Sequence, residues 1–113
     1  MSAFCDDALG NDDAVEVARR IRDGQVSATE VVEAAIARAE RVNPGLNAIA
    51  APLFDSARAA AMEPSGGQFR GVPSFLKDSD ALVGAPVRFG SRGMPNVPAE
   101  ESSRFAKQFL ATG

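Results

Sequence analysis

The chain contains no histidine. That single absence removes Ser-His-Asp and Cys-His catalysis, together with every metal site built on imidazole. Any acid–base chemistry must therefore come from Asp, Glu, Lys or a serine relay. Tryptophan and tyrosine are missing too, and seven phenylalanines are the only aromatic residues. Hydrophobic residues reach 45%, but many are alanines in helix-like stretches. Each alanine removes little apolar area from water, so the core must rest on a few Val, Ile, Leu and Phe positions. Cys5 is the single cysteine. No internal disulfide can form, which fits a reducing compartment, and a lone thiol without a partner makes a poor nucleophile. Nowhere do 18 apolar residues run together, and the first residues lack the charged-then-apolar order of a leader, so a cytoplasmic chain with no membrane partner is expected. A formal net charge of -3, a pI near 4.9 and no basic patch leave nothing to attract a phosphate backbone, so no nucleic acid partner is expected either.

At 113 residues the chain has the length of one small domain. Residues 1–11 mix acidic, small and glycine residues without a period and read as a flexible tail. From Asp12 onward Ala14, Val17, Ala18 and Ile21 recur at helical spacing, with Glu16 placed to meet Arg19 or Arg20, which predicts a helix over 13–23 stopped by Gly24. Ser27 and Glu30 form a Ser-x-x-Glu capping box. A second helix follows over 28–42, striped by Val32, Ala35, Ile36, Ala39 and Val42 and ended by Asn43-Pro44-Gly45. Residues 46–51 read as a strand, 54–62 as an alanine-rich helix, 63–67 as a loop, 72–77 as a strand and 81–83 as a shorter one. A helix over 100–111, with acidic residues in its first turn and Phe105 and Phe109 on one face, closes the chain. The class is α/β: a helical hairpin, short strands and a C-terminal helix.

Short motifs add little by themselves. Ser74-Phe75-Leu76-Lys77 satisfies Ser-x-x-Lys, but that pairing needs a helix to bring i and i+3 onto one face, and Pro73 favours an extended chain. Asp78-Ser79-Asp80 begins like a calcium loop, yet Leu82 and Val83 stand where further oxygen ligands are needed. Asp6, Asp7, Asp12 and Asp13 read as solvated charges beside a helix N-terminus, so no metal and no cofactor is expected. Lys77 alone reads as a strand-end lysine with its ammonium in water.

Longer stretches change the weight of Lys77. Ser27-Ala28-Thr29-Glu30-Val31-Val32-Glu33 with Arg41-Val42-Asn43-Pro44-Gly45-Leu46-Asn47-Ala48, then Gly71-Val72-Pro73-Ser74-Phe75-Leu76-Lys77-Asp78, then Phe89-Gly90-Ser91, resemble in order and spacing the N-terminal part of the amidase signature family. The resemblance runs from about Asp12 to Gly113 and implies that 12–113 is a partial amidase domain. It implies a Ser, cis-Ser, Lys triad that hydrolyses carboxamides to a carboxylate and an amine or ammonia, with Lys77 as the catalytic lysine and a small-molecule amide as the partner. To accept a proton the amine must be neutral, a state favoured by burial away from carboxylates. The family's Gly- and Ser-rich stretch, which carries both catalytic serines, is not matched: Ser65, Ser74, Ser79, Ser91, Ser102 and Ser103 all lack its context. The 113 residues are thus expected to be inactive alone. Val87 and Arg88 also depart from the small hydroxyl residues common ahead of the Gly-Ser pair. A rival reading is a non-catalytic protein-interaction module, distinguished by whether Lys77 sits beside a groove. Thin packing predicts weak stability or self-association.

Overall fold

The structure, a computed structural model, describes residues 5–113, so the part of the expected tail over residues 1–4 lies outside the described residues. Four helices follow in order: α1 (Ala14–Arg22), α2 (Ala28–Leu46), α3 (Phe54–Met62) and α4 (Arg104–Leu110). Asp13 caps α1 by accepting from the Glu16 N–H at 2.9 Å. At α2 the capping box closes in both directions, the Ser27 hydroxyl taking the Glu30 N–H and the Glu30 carboxylate taking the Ser27 N–H at 2.8 Å. Each side chain satisfies a backbone donor that the first turn leaves without a helical acceptor.

Helix α2 runs past the expected stop at Asn43-Pro44-Gly45. Pro44 lies inside it and Asn47, at φ 50, is its left-handed cap. Asn43 explains the extension: its side-chain oxygen accepts from the N–H groups of Ala48 and Ile49, and its carbonyl accepts from Asn47. Pro44 then forfeits a single bond to the carbonyl of Glu40, an exposed residue whose oxygen water can serve. The strand expected over 46–51 is therefore absent, its first residue being the last of α2.

Two small cores lie against α2. One joins Ala28, Val32 and Ile36 to Ala61, with Phe54 and Ala57 of α3 packed on it. The other joins Val17, Val26 and Val31, covered by Ala8, Leu9, Ile21 and Val72. Val31, absent from the expected stripe, is fully buried because α2 is covered from two directions. Arg38 ties residues 5–10 to this helix, giving two hydrogen bonds to the Asp7 carboxylate and one to the Gly10 carbonyl.

The second half is irregular. Among the described residues the only β pairings are two isolated bridges, Val83 with Ala99 in parallel and Pro86 with Pro98 antiparallel. The strands expected over 72–77 and 81–83 thus form no ladder, and the sheet part of the α/β expectation is not realised. Helix α4 starts at Arg104, later than the expected Glu100, because the chain before it is already engaged: Ala99 N–H donates to Ala85, Ser102 Oγ accepts from Val83 N–H, and Ser103 N–H donates to Ala81. Its first turn carries no acid, and Ser103 is its cap. Phe105 and Phe109 do share a face, stacked with centroids 5.7 Å apart, but the buried residue of α4 is Ala106. Among the described residues no helix is long and apolar enough to cross a membrane.

Candidate active site

The segment carrying Lys77 is anchored at its start by a glycine that nothing else could replace. Gly71 has φ 81, and a Cβ built on it would lie 2.7 Å from the Ala28 Cβ at the head of α2. Both the left-handed backbone and the close approach exclude a side chain. Val72 then enters the Val17–Val26–Val31 core. Pro73 fixes its own φ and pushes Val72 out of the helical region. Residues 72–77 pass without helix, turn or bend between a turn at 68–71 and another starting at 78. Phe75 and Lys77 are exposed while Leu76 and Asp78 are half-buried, the alternation of an extended chain. Ser74 and Lys77 consequently lack the helical face that a Ser-x-x-Lys pair requires.

Asp78 anchors the other end. Its Oδ1 accepts from the Arg88 N–H and its Oδ2 from the Gly90 N–H, both at 2.9 Å, while its carbonyl accepts from the Phe89 N–H at 3.4 Å. These backbone donors, with the Arg88 charge in support, hold the Asp78 carboxyl below the usual carboxylate range. Phe89 and Gly90 are both left-handed, at φ 50 and 68. For a residue as bulky as Phe this backbone is an outlier that its surroundings must impose. The carboxylate of Asp78 grips the amides on either side of it. Ser91 completes the turn, its N–H donating to the Arg88 carbonyl and its Oγ accepting from Gly93.

Lys77 itself is exposed, and among the described residues no hydrogen bond or ion pair engages its ammonium. Two concavities among the described residues lie elsewhere: a groove of about 850 Å³ between the α1–α2 turn and the chain after α3, and a smaller one of about 280 Å³ beside Asn43 and Phe54. Among the described residues no serine is hydrogen-bonded to Lys77, and Ser74 Oγ has a long 3.5 Å contact with its neighbour's carbonyl. No group of three or more metal-ligating side chains occurs among the described residues. What the block places together is thus Lys77 on an open surface and the Phe89–Gly90–Ser91 turn locked to the next residue. Neither the fit of Gly71 nor the grip of Asp78 is visible in composition or spacing, since the partners of both lie far along the chain.

Comparison with known proteins bears on the same stretch. A family model described as Amidase matches residues 30–113. A Mycobacterium tuberculosis protein named "Putative amidase AmiC" is 48% identical over 113 residues, covering 98% of this chain and 24% of that protein. The 6-aminohexanoate-cyclic-dimer hydrolase of Paenarthrobacter ureafaciens is 36% identical over 104 residues, covering 89% of this chain and 21% of that one. A solved structure of 6-aminohexanoate cyclic dimer hydrolase with its substrate superposes on 90% of this chain and 22% of its own, with a TM-score of 0.83 at 36% identity. The chain spans about a quarter of the length of the curated relatives it matches most strongly. Arriving at the same segments as the Gly-Val-Pro-x-x-x-Lys-Asp block, these matches make the chain a member of the amidase family, corresponding to its N-terminal portion.

Proposed function

We propose that this chain is the N-terminal portion of an amide hydrolase in which Lys77 is the base of a Ser, cis-Ser, Lys triad. The observation that carries the reading is the match of residues 30–113 to the amidase family, which includes Lys77 on a segment anchored at both ends. The reaction turns an amide and water into a carboxylate and an amine or ammonia. The nucleophilic serine forms a bond to the carbonyl carbon, and its proton passes through the bridging serine to the neutral amine of Lys77. The C–N bond then breaks, with that proton returned to the leaving nitrogen. Water next opens the acyl-serine ester and restores the serine. Neither serine is assigned within these 113 residues, so the chain alone is expected to leave small amides intact. Its substrate in the complete enzyme is a small-molecule amide.

The test is a hybrid in which residues 12–113 replace the matching part of the cyclic-dimer hydrolase. Amine release from an amide substrate should appear in the hybrid and fall at least about a thousandfold with Lys77→Ala, in line with loss of one member of a catalytic unit. A hybrid that hydrolyses the amide equally well with Lys77→Ala would remove Lys77 from the reaction. Release of amine by the 113-residue chain alone, at a rate indifferent to Lys77→Ala, would overturn the reading as a whole.

A further inference from the structure

Lys77 does not line the groove of about 850 Å³ beside the head of α2, and that groove has a chemistry of its own. Its volume falls in the range of about 300–1,000 Å³ common to small-molecule sites. Both walls are held in place. In the α1–α2 turn the N–H groups of Asp23, Gly24 and Gln25 donate to the carbonyls of Arg19, Ile21 and Arg20, and the Ser27–Glu30 box follows. Opposite, the Phe69 N–H donates to the Thr112 carbonyl at 2.8 Å, and a Cβ built on Gly67 would run into that same carbonyl. Walls fixed in this way receive a ligand without first having to be ordered. Part of the lining is apolar: Val26, Ala28 and Ala61 are buried, Ile21 is half-buried and Met62 is 77% exposed. The charges are unevenly matched. Arg19, Arg20, Arg38 and Arg58 each pair with a carboxylate within the molecule. Arg22 and Arg70, which line the groove from its two sides, have no such partner among the described residues. Arg22, at the last position of α1, also meets the negative end of that helix, but Arg70 lies outside any helix. Glu30, the one acid in the lining, is spent on the Ser27 N–H and hydroxyl, and Asp23 close by is spent on Arg19.

We infer that this groove binds an organic carboxylate, its charge held by Arg22 and Arg70 and its apolar body laid on Ile21, Ala61 and Met62. A guanidinium presents parallel N–H donors at the spacing of the two carboxylate oxygens, so each arginine can take the anion in two bonds at once. The groove stays net positive even with Glu30 counted, in a chain whose own net charge is -3, so it favours an anion over a neutral or cationic molecule. Its apolar lining adds a second requirement. A bare inorganic anion would leave Ile21 and Met62 in water, whereas an attached hydrocarbon body covers them and gains free energy in proportion to the area removed from water. The amides of Gln25 and Gln68, which line the groove and make no side-chain hydrogen bond among the described residues, add further donors for the carboxylate oxygens. This site uses none of residues 74–78 and stands whether or not Lys77 acts as a base. Its ligand class includes what amide hydrolysis releases.

Octanoate is the probe, with octan-1-ol and inorganic phosphate as its controls, titrated into the 113-residue chain and followed by backbone amide resonances. Octanoate should shift the amides of Ala28, Gln68 and Arg70 to a saturating end point. Octan-1-ol should bind at least about tenfold more weakly, and phosphate at equal concentration should leave octanoate in place. Arg22→Gln and Arg70→Gln should each weaken octanoate at least about fivefold, and the pair together should abolish its binding. Met62→Asp, at an exposed position, should weaken octanoate while leaving helical circular dichroism unchanged. The same titration on the hybrid carrying residues 12–113 keeps binding and hydrolysis apart. Octanoate bound at these amides in a hybrid without amide hydrolysis would sink the hydrolase reading alone, and an active hybrid whose groove no longer takes octanoate would overturn the site alone. Octan-1-ol binding as tightly as octanoate, or a double arginine variant binding as the parent does, would reduce the groove to an apolar surface and overturn the inference. Displacement by phosphate would reduce it to a patch of positive charge, with the same result. Shifts at these amides that grow with protein concentration and that octanoate does not reverse would assign the groove to a second copy, and would also overturn it.

Discussion

At the scale of single residues, Asp78 matters for its acceptor geometry more than for its charge beside Lys77. Two oxygens meet two backbone N–H groups, and asparagine cannot reproduce that, because one of its two positions is an NH₂ aimed at another donor. Asp78→Asn should therefore speed amide exchange at Arg88 or Gly90 at least about tenfold while leaving α2 unaffected. The pH dependence has a definite sign. The folded-state carboxyl is held below its ordinary value, so its contribution is complete above the unfolded aspartate value of about 3.9 and is lost as pH falls through the lower folded value. In nuclear magnetic resonance spectra the Arg88 and Gly90 amides should shift together at that acid midpoint, and the Asn variant should show no such transition. The sequence made Lys77 conspicuous and left Asp78 plain. A side chain that serves backbone amides ten or more residues away leaves no pattern of residue types, since every residue but proline offers the same donor.

Among the elements, the helices were the legible part. The Ser-x-x-Glu box, the apolar spacing of α1 and the span of α3 all state local preferences, and local preferences govern helices whose ends are capped nearby. Ser27→Ala should lower stability by about 1 kcal/mol, read as a fall of about 4 °C in the thermal midpoint of helical circular dichroism. A variant that melts with the parent would show that the cap is redundant with the packing of Val31 and Val32. Where local reading failed, a non-local contact had taken precedence. Pro44 looked like a stop until Asn43 was seen to collect Ala48 and Ile49. The acids at Glu100 and Glu101 looked like a helix start, but the backbone there is spent on residues 81–85. The run over 72–77 was legible as extended, whereas a strand also needs a paired neighbour, which the residue types of one segment do not specify.

For the whole molecule, the extents of 44 × 33 × 20 Å describe a slab about two helices thick, with small Val- and Ala-rich cores. Stability in such a body depends on its long-range ties, and Asp7–Arg38 is the most enclosed ion pair among the described residues. The Arg38 guanidinium, with help from Cys5 and the Leu9 and Gly10 amides, keeps the Asp7 carboxyl far below its usual range. That stabilisation is present at neutral pH and disappears as acid protonates Asp7. Asp7→Asn should cost about 1–3 kcal/mol in urea unfolding at pH 7 and reduce the loss of stability between pH 4 and pH 2. An unchanged acid profile would mean that other carboxylates set it. Helix α4 has a related effect on the Lys77 segment. Its first end is fastened to Ala81 and Val83 through Ser103 and Ser102, and its last to Phe69, whose N–H donates to the Thr112 carbonyl at 2.8 Å. From Ser103 to Thr112 a helix measures about 14 Å. The helix thus works as a strut that sets the separation of Phe69 from Ala81, the two points from which the Lys77 stretch is hung.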